Sequence, residues 1–158
     1  MKTETFQTIL GVDLGNRLHA ICVTDKDGKV LEEFSIPNTR KSLEELMGRY
    51  PHSLVAMEVG THSPWISRLC QSAGATTIVA NARRLRAIYE NPRKSDQLDA
   101  QMLAKLARVD PELLHPVQHT SEAGQREMLT IKLRDTLVRQ RVNIISSIRF
   151  TLKSLGIR

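Results

Sequence analysis

The pattern of apolar and polar positions divides the chain into an N-terminal part of short apolar runs and a C-terminal part of helical periodicity. In Gln7-Thr8-Ile9-Leu10-Gly11-Val12-Asp13-Leu14-Gly15, apolar residues in near succession predict a strand buried on both faces, as in the middle of a sheet. Leu18 to Val23 reads as a second strand, Asp25-Lys26-Asp27-Gly28-Lys29 as turn chemistry, and Val30 to Ile36 as a third strand, which together make an antiparallel meander. Thr39 or Ser42 opens a helix with Leu43, Leu46, Met47 and Tyr50 at helical spacing, and Pro51 ends it. Ser53 to Met57 is a fourth strand that ends on Glu58. After Val59-Gly60-Thr61, Ser63 as cap and Pro64 in the first turn start a helix that buries Trp65, Ile66, Leu69 and Cys70 and stops at Gly74. Thr76 to Ala80 is the fifth strand.

Beyond the fifth strand the pattern turns helical. Asn81 caps a basic helix that carries Arg83, Arg84 and Arg86 beside Leu85, Ile88 and Tyr89, broken by Asn91-Pro92-Arg93-Lys94. Ser95 is a good N-cap for the next helix, Asp96 to Arg108, in which Asp99, Met102, Leu103 and Leu106 share one face. Leu113 to His119 reads as an extended connector. From Gln125 to Leu155 there is no Gly or Pro, and Met128, Ile131, Val138, Val142, Ile145 and Leu152 follow a 3-4 spacing interrupted by Asp135 and Arg149. A long amphipathic helix is predicted, with Lys132, Arg134, Arg139, Arg141 and Lys153 on its polar side. The expected organisation is an α/β domain over 1–110, a connector over 111–124, and a helical region over 125–158.

Composition narrows the function classes. The chain has 158 residues, 41% of them hydrophobic, which suffices for one ordinary core. A net charge of +6 and a pI near 9.7 favour a polyanionic partner, with nucleic acid first. No apolar run approaches a membrane span, and Met1 to Thr5 lacks the apolar core of a signal peptide, so a cytoplasmic protein is expected. Cys22 and Cys70 sit among apolar neighbours without metal-ligand spacing. His115 and His119 are four apart, but Pro116 argues against a helical zinc arrangement, and His19, His52 and His62 have no partners at diagnostic spacing.

The candidate chemistry lies in the acids. Asp13 interrupts a buried run, and a carboxylate there is costly unless a cation or a set of donors meets it. A lone Asp-x-Gly also suits a strand end that caps a turn. Glu58 repeats the arrangement of strand, carboxylate and glycine turn. Asp96 suits the first helical turn through the helix dipole, whereas Asp99 heads the apolar stripe, and the two stand about 4.5 Å apart along the axis. Asp13, Glu58, Asp96 and Asp99 on a βββαβαβ-α scaffold follow the ribonuclease H-like order, a mixed sheet of about five strands flanked by helices. Unit charges about 4 Å apart repel by roughly 4 kcal/mol at an effective dielectric near 20, so the set calls for divalent ions. Oxygen-only ligation suits Mg²⁺ or Mn²⁺, and two such ions can drive cleavage or transesterification of a phosphodiester.

Four motifs in order carry a resemblance: Gly11-Val12-Asp13-Leu14-Gly15, Ala56-Met57-Glu58-Val59-Gly60-Thr61, Lys94-Ser95-Asp96-Gln97-Leu98-Asp99-Ala100, and Leu137-Val138-Arg139-Gln140-Arg141 with Leu152-Lys153-Ser154-Leu155-Gly156-Ile157. Over essentially the whole chain the sequence resembles the N-terminal portion of the DEDD transposases of bacterial insertion sequences, whose first domain is similar to the RuvC resolvase. The resemblance implies DNA transposition and recombination, with Asp13, Glu58, Asp96 and Asp99 as catalytic metal-binding acids for two Mg²⁺ or Mn²⁺ ions. It implies DNA as partner, a guide (bridge) RNA in some members, and a homo-oligomer, dimer or tetramer, formed through the long helix. Arg83, Arg84, Arg86, Arg93, Lys94, Arg134, Arg139 and Arg141 are the candidate nucleic-acid contacts.

The family continues into a second domain that supplies a serine nucleophile, and none of Ser121, Ser146, Ser147 or Ser154 stands in a matching context. A half-site or truncated product is therefore the expectation for this chain. Two other readings compete: a Holliday-junction resolvase of the RuvC or YqgF type, active without a second domain, and a non-catalytic DNA-binding or dimerisation fragment. A sugar-kinase-like ATP module would need a second glycine-rich phosphate loop and a longer chain.

Overall fold

The computed structural model describes residues 6–81, 83–84 and 95–157. It separates into two compact units, 1–118 and 119–158. The first is built on a five-stranded sheet of order β3-β2-β1-β4-β5: β1 Thr8–Asp13, β2 Leu18–Asp25, β3 Val30–Pro37, β4 Leu54–Glu58 and β5 Thr76–Ala80. β1 pairs antiparallel with β2, and β2 antiparallel with β3, whereas β1, β4 and β5 run parallel. This is the predicted ribonuclease H-like arrangement. The apolar run of β1 takes the central position, flanked by the equally buried β2 and β4.

Local chemistry explains the connections. In the β2–β3 turn, Asp25 Oδ1 accepts from the N–H of Asp27 (2.9 Å) and Lys29 (2.8 Å), and Gly28 takes a φ of +87°. Thr39 caps helix α1 (Arg40–Arg49), its hydroxyl accepting from Ser42 N at 3.2 Å. Helix α2 (Ser63–Ser72) differs from expectation at its start. Ser63 is its first residue, and its hydroxyl donates to the Gly60 carbonyl and accepts from Gly60 N, closing the preceding turn instead of capping the helix. Ser95 does cap α3 (Asp96–Val109), its hydroxyl accepting from Leu98 N at 3.3 Å. What read as an extended connector opens with a 3-10 turn, Pro111–Leu114, whose Leu114 is buried. It is tied to β5 by Asn81 N donating to Leu114 O and Val117 N to Val79 O.

Two cores sandwich the sheet. Leu10, Val12, Ile21, Val23, Val55 and Met57 pack with Leu43, Leu46 and Met47 of α1 and Ile66, Leu69 and Cys70 of α2. On the other face Ile9, Leu54, Ala56, Ile78 and Ala80 pack with Leu103, Ala104 and Ala107 of α3 and with Leu114. Cys70 is buried in the first of these cores and Cys22 in a small cluster with Ala20 and Ala100, and burial pushes each thiol up to about 11.

The second unit is a single long helix, α4 (Glu122–Ser154), capped by Ser121 and longer than its glycine-free core predicted because Gly124 sits inside its first turn. None of its residues is buried, and Met128, Ile131, Val138, Val142 and Ile145 are among its exposed apolar side chains.

Candidate metal centre and nucleic-acid interface

Parallel pairing brings the C-terminal ends of β1, β4 and β5 to one edge of the sheet, and both strand-end acids lie there. Asp13 pairs with Ala20, which packs against Ala100 of α3, so period-2 alternation carries Asp13 to the α3 face. Glu58 pairs with Ala80, a residue of the core on the same face, and follows Ala56, which also points there. Asp13 and Glu58 therefore end adjacent strands on one face, each half-buried.

A small-residue contact seats α3 against that face. A Cβ on Gly11 would fall on the Ala100 carbonyl oxygen and within 2.7 Å of Ala104 N, so only glycine lets the helix backbone lie this close to β1. The helix runs down the sheet opposite to β1. Gln97 Nε2 donates to Phe34 O at 3.3 Å near its start, and Arg108 lies beside Gly28 near its end. Asp96 precedes Ala100 by about 6 Å of helix rise, and Asp13 follows Gly11 by roughly 6.6 Å of strand. The first turn of α3, with Asp96 and Asp99, thus lies at the end of the sheet where β1 and β4 finish.

The buried stripe of α3 is Ala100, Leu103, Ala104 and Ala107, with Met102 and Leu106 half-buried at its margins. This turns the helix from the face predicted by Asp99, Met102, Leu103 and Leu106. Asp96 continues the stripe but is exposed beyond the sheet, and Asp99 flanks it, half-buried. The Gln97 contact shows the first turn leaning toward β3, away from β4. Among the described residues no group of three or more His, Cys, Asp or Glu side chains is close enough to hold a metal ion.

The basic positions divide between the two units. Arg83 and Arg84 are exposed and directly follow β5, at the edge where Asp13 and Glu58 end. Arg84 Nη1 lies 3.5 Å from His115 Nδ1. Arg86, Arg93 and Lys94 fall outside the described residues. Arg134, Arg139 and Arg141 are exposed on α4, where Arg139 pairs with Asp135 at 2.9 Å. Sequence spacing hid one feature of this edge. His19 and His62, separated by 43 positions, meet with ring centroids 6.5 Å apart, and His62 Nε2 stands 3.3 Å from Asn16 Oδ1.

Among the described residues no helix is long and apolar enough to cross a membrane. No curated protein sequence matches the chain. Among solved structures the chain is similar to RuvC of Thermus thermophilus, at 17% identity and a TM-score of 0.46, over 65% of this chain and 96% of that one. A second T. thermophilus RuvC structure, in complex with a Holliday junction substrate, is similar at 14% identity and a TM-score of 0.45, over 66% of this chain and 97% of that one. The family model of the IS110-type DEDD transposases, described as "Transposase", matches residues 10–157. With that match over nearly its whole length, the chain belongs to the IS110-type DEDD transposase family.

Proposed function

We propose that this chain carries the metal-binding carboxylate site of a DNA strand-cleavage and strand-transfer centre. The supporting observation is that Asp13 and Glu58 end adjacent parallel strands on one sheet face, at the end of the sheet where the acid-bearing first turn of α3 lies. The donor set fits a hard cation, because its ligands are all carboxylates. Asp13 and Glu58 would hold Mg²⁺ or Mn²⁺ from the sheet, and Asp96 and Asp99 would complete the oxygen shell from α3. Carboxylates about 4 Å apart repel by roughly 4 kcal/mol per pair at an effective dielectric near 20, so the cation is also what offsets their approach. When bound, a pair of such ions activates an attacking oxygen and stabilises the leaving oxygen of a phosphodiester. The protein's part is to present these carboxylates at one end of the sheet and to align the DNA backbone, with Arg83 and Arg84 beside the same edge.

In this reading α4 joins copies of the chain. Met128, Ile131, Val138, Val142, Ile145 and Leu152 recur at alternating three- and four-residue steps, with Asp135 and Arg149 completing the heptad series, and all of these apolar side chains are exposed. Arg134, Arg139 and Arg141 are then available to phosphates, and in guided members of the family to RNA.

The test is Mn²⁺-dependent cleavage of labelled linear and branched DNA by the wild type, Asp13→Ala and Asp99→Ala. Cleavage by the wild type that both variants lose is the expected result. Preference for the branched substrate would instead favour junction resolution. Binding of Mn²⁺ and DNA without any cut would mark a half-site that takes its nucleophile from a serine domain. A wild type that binds no Mn²⁺ would overturn the proposal.

A further inference from the structure

The β1–β4 ladder stops one residue short of the acids. Its last pair is Val12 with Met57, so Asp13 is registered to Ala20 of β2 and Glu58 to Ala80 of β5, while the pairing between β1 and β4 ends before either. The gap between these two carboxylates is therefore not set by that ladder. Two segments follow directly, Leu14–Arg17 after Asp13 and Val59–His62 after Glu58, the latter tied to β5 by Val59 N donating to Ala80 O, and what holds them bears on that gap.

The first of these segments is gripped from the β3–α1 junction. Asn38 Nδ2 donates to Gly15 O (3.4 Å) and Asn16 O (3.2 Å), and Asn38 N donates to Arg17 O (2.9 Å). The second segment reaches across to it. His62, four residues beyond Glu58, places Nε2 3.3 Å from Asn16 Oδ1, a hydrogen bond that spans the opening between β1 and β4. Behind His62 stands His19, fully buried on the α1–α2 face, its ring edge-on at 63°. Neither ring nitrogen of His19 has a hydrogen-bond partner, and Asn38 Oδ1 beside it is likewise buried without one. Burial pushes the His19 pKa down and the proximity of His62 adds to this, while Asn38 opposes it without reaching hydrogen-bond geometry. His19 is thus an uncharged wall for His62 at neutral pH.

We infer that His62 and Asn16 are a positioning pair that fixes the separation of Asp13 and Glu58, with His19 as the buried wall that orients His62. The inference rests on the metal-site reading above, because its consequence is the strength with which these acids hold a divalent ion. Groups that orient ligands without touching the metal typically change affinity by 10–100-fold when removed. A single link between two short segments belongs at the low end of that range.

The experiment uses the full chain as wild type, His62→Ala, His62→Gln, which keeps a donor at similar reach, and Asn16→Ala, whose position is exposed. Amide hydrogen exchange in the metal-free protein and Mn²⁺ titration calorimetry are the readouts. His62→Ala and Asn16→Ala should each speed exchange in both segments, 14–17 and 59–61, and weaken Mn²⁺ about tenfold. His62→Gln should restore both. Because Asn16 is exposed, Asn16→Ala carries the test even if His62→Ala disturbs folding. Exchange that rises only in the substituted segment, or Mn²⁺ affinity equal to the wild type in both alanine variants, would overturn the inference. A wild type that binds no Mn²⁺ would instead remove the underlying reading, while the exchange arm would still decide whether the pair couples the two segments.

Discussion

Substituting Gly11 by alanine tests the packing on which the acid arrangement depends. The new methyl group would meet the Ala100 carbonyl oxygen, with Ala104 N at 2.7 Å and the Ala100 carbonyl carbon at 2.9 Å, all backbone atoms of a helix that cannot rotate aside as a side chain can. Overpacking of this kind costs roughly 1–3 kcal/mol, here at the upper end, and replacing glycine within a strand returns about 0.5–1 kcal/mol. A net loss of about 2 kcal/mol lowers the melting temperature by roughly 4–8 °C for a chain of this size. Gly48→Ala is the matched control. Gly48 is exposed in α1 and a Cβ there meets nothing within 4 Å, so the change should stabilise by about 0.5–1 kcal/mol. Thermal unfolding followed by circular dichroism measures both. Because relief of the clash moves α3 off β1, Gly11→Ala should also weaken Mn²⁺ binding, and Gly48→Ala should leave it unchanged. Equal melting temperatures for Gly11→Ala and the wild type would refute the seating of α3 on Gly11.

Three further outcomes are expected. Val142→Glu on the exposed heptad of α4 should convert an oligomer to monomers in analytical ultracentrifugation, and a wild type already monomeric at tens of micromolar would contradict the assembly role of α4. With both thiols pushed up to about 11 and buried, Cys22 and Cys70 should react with a disulfide reagent at pH 8 only after denaturation, so prompt labelling of the native protein would be inconsistent with their burial. The depressed pKa of His19 means that the unfolded chain binds a proton more readily than the folded one. Stability should therefore rise with pH up to the unfolded histidine value near 6.5 and fall on acidification below it. Urea midpoints from pH 5 to 7.5 should show this slope, and it should flatten in His19→Asn; an unchanged slope would assign the effect to another group.

Much of the fold was legible because its signals are local. β5 spans the predicted Thr76–Ala80, the Asp25–Lys29 turn forms around Gly28, Ser95 caps the helix it was expected to cap, and Thr39 is the cap of the two candidates, Thr39 and Ser42. Ser63 was misplaced by one position because a hydroxyl beside a glycine turn can close that turn as readily as cap a helix, and spacing does not distinguish the two. The α3 face was misjudged for a related reason. Periodicity marks large apolar residues, whereas close contact with β1 selects the small ones, Ala100, Ala104 and Ala107.

The candidate site divides along the same line. Asp13 and Glu58 stood out in the sequence because a carboxylate interrupts or ends a continuous apolar run, and such runs are carried by neighbours in the chain. The sequence by itself determined the order of elements, the strand-end positions of Asp13 and Glu58 and the apolar heptad of α4, since each depends on spacings of a few residues. Tertiary structure alone decided that Gly11 admits the α3 backbone and that the β1–β4 ladder ends before the acids. It alone also brought His62 and Asn16 together across that opening, with His19 behind them. These contacts join residues tens of positions apart, so they exist only once sheet register and helix seating place them, and no local pattern of residue types encodes them.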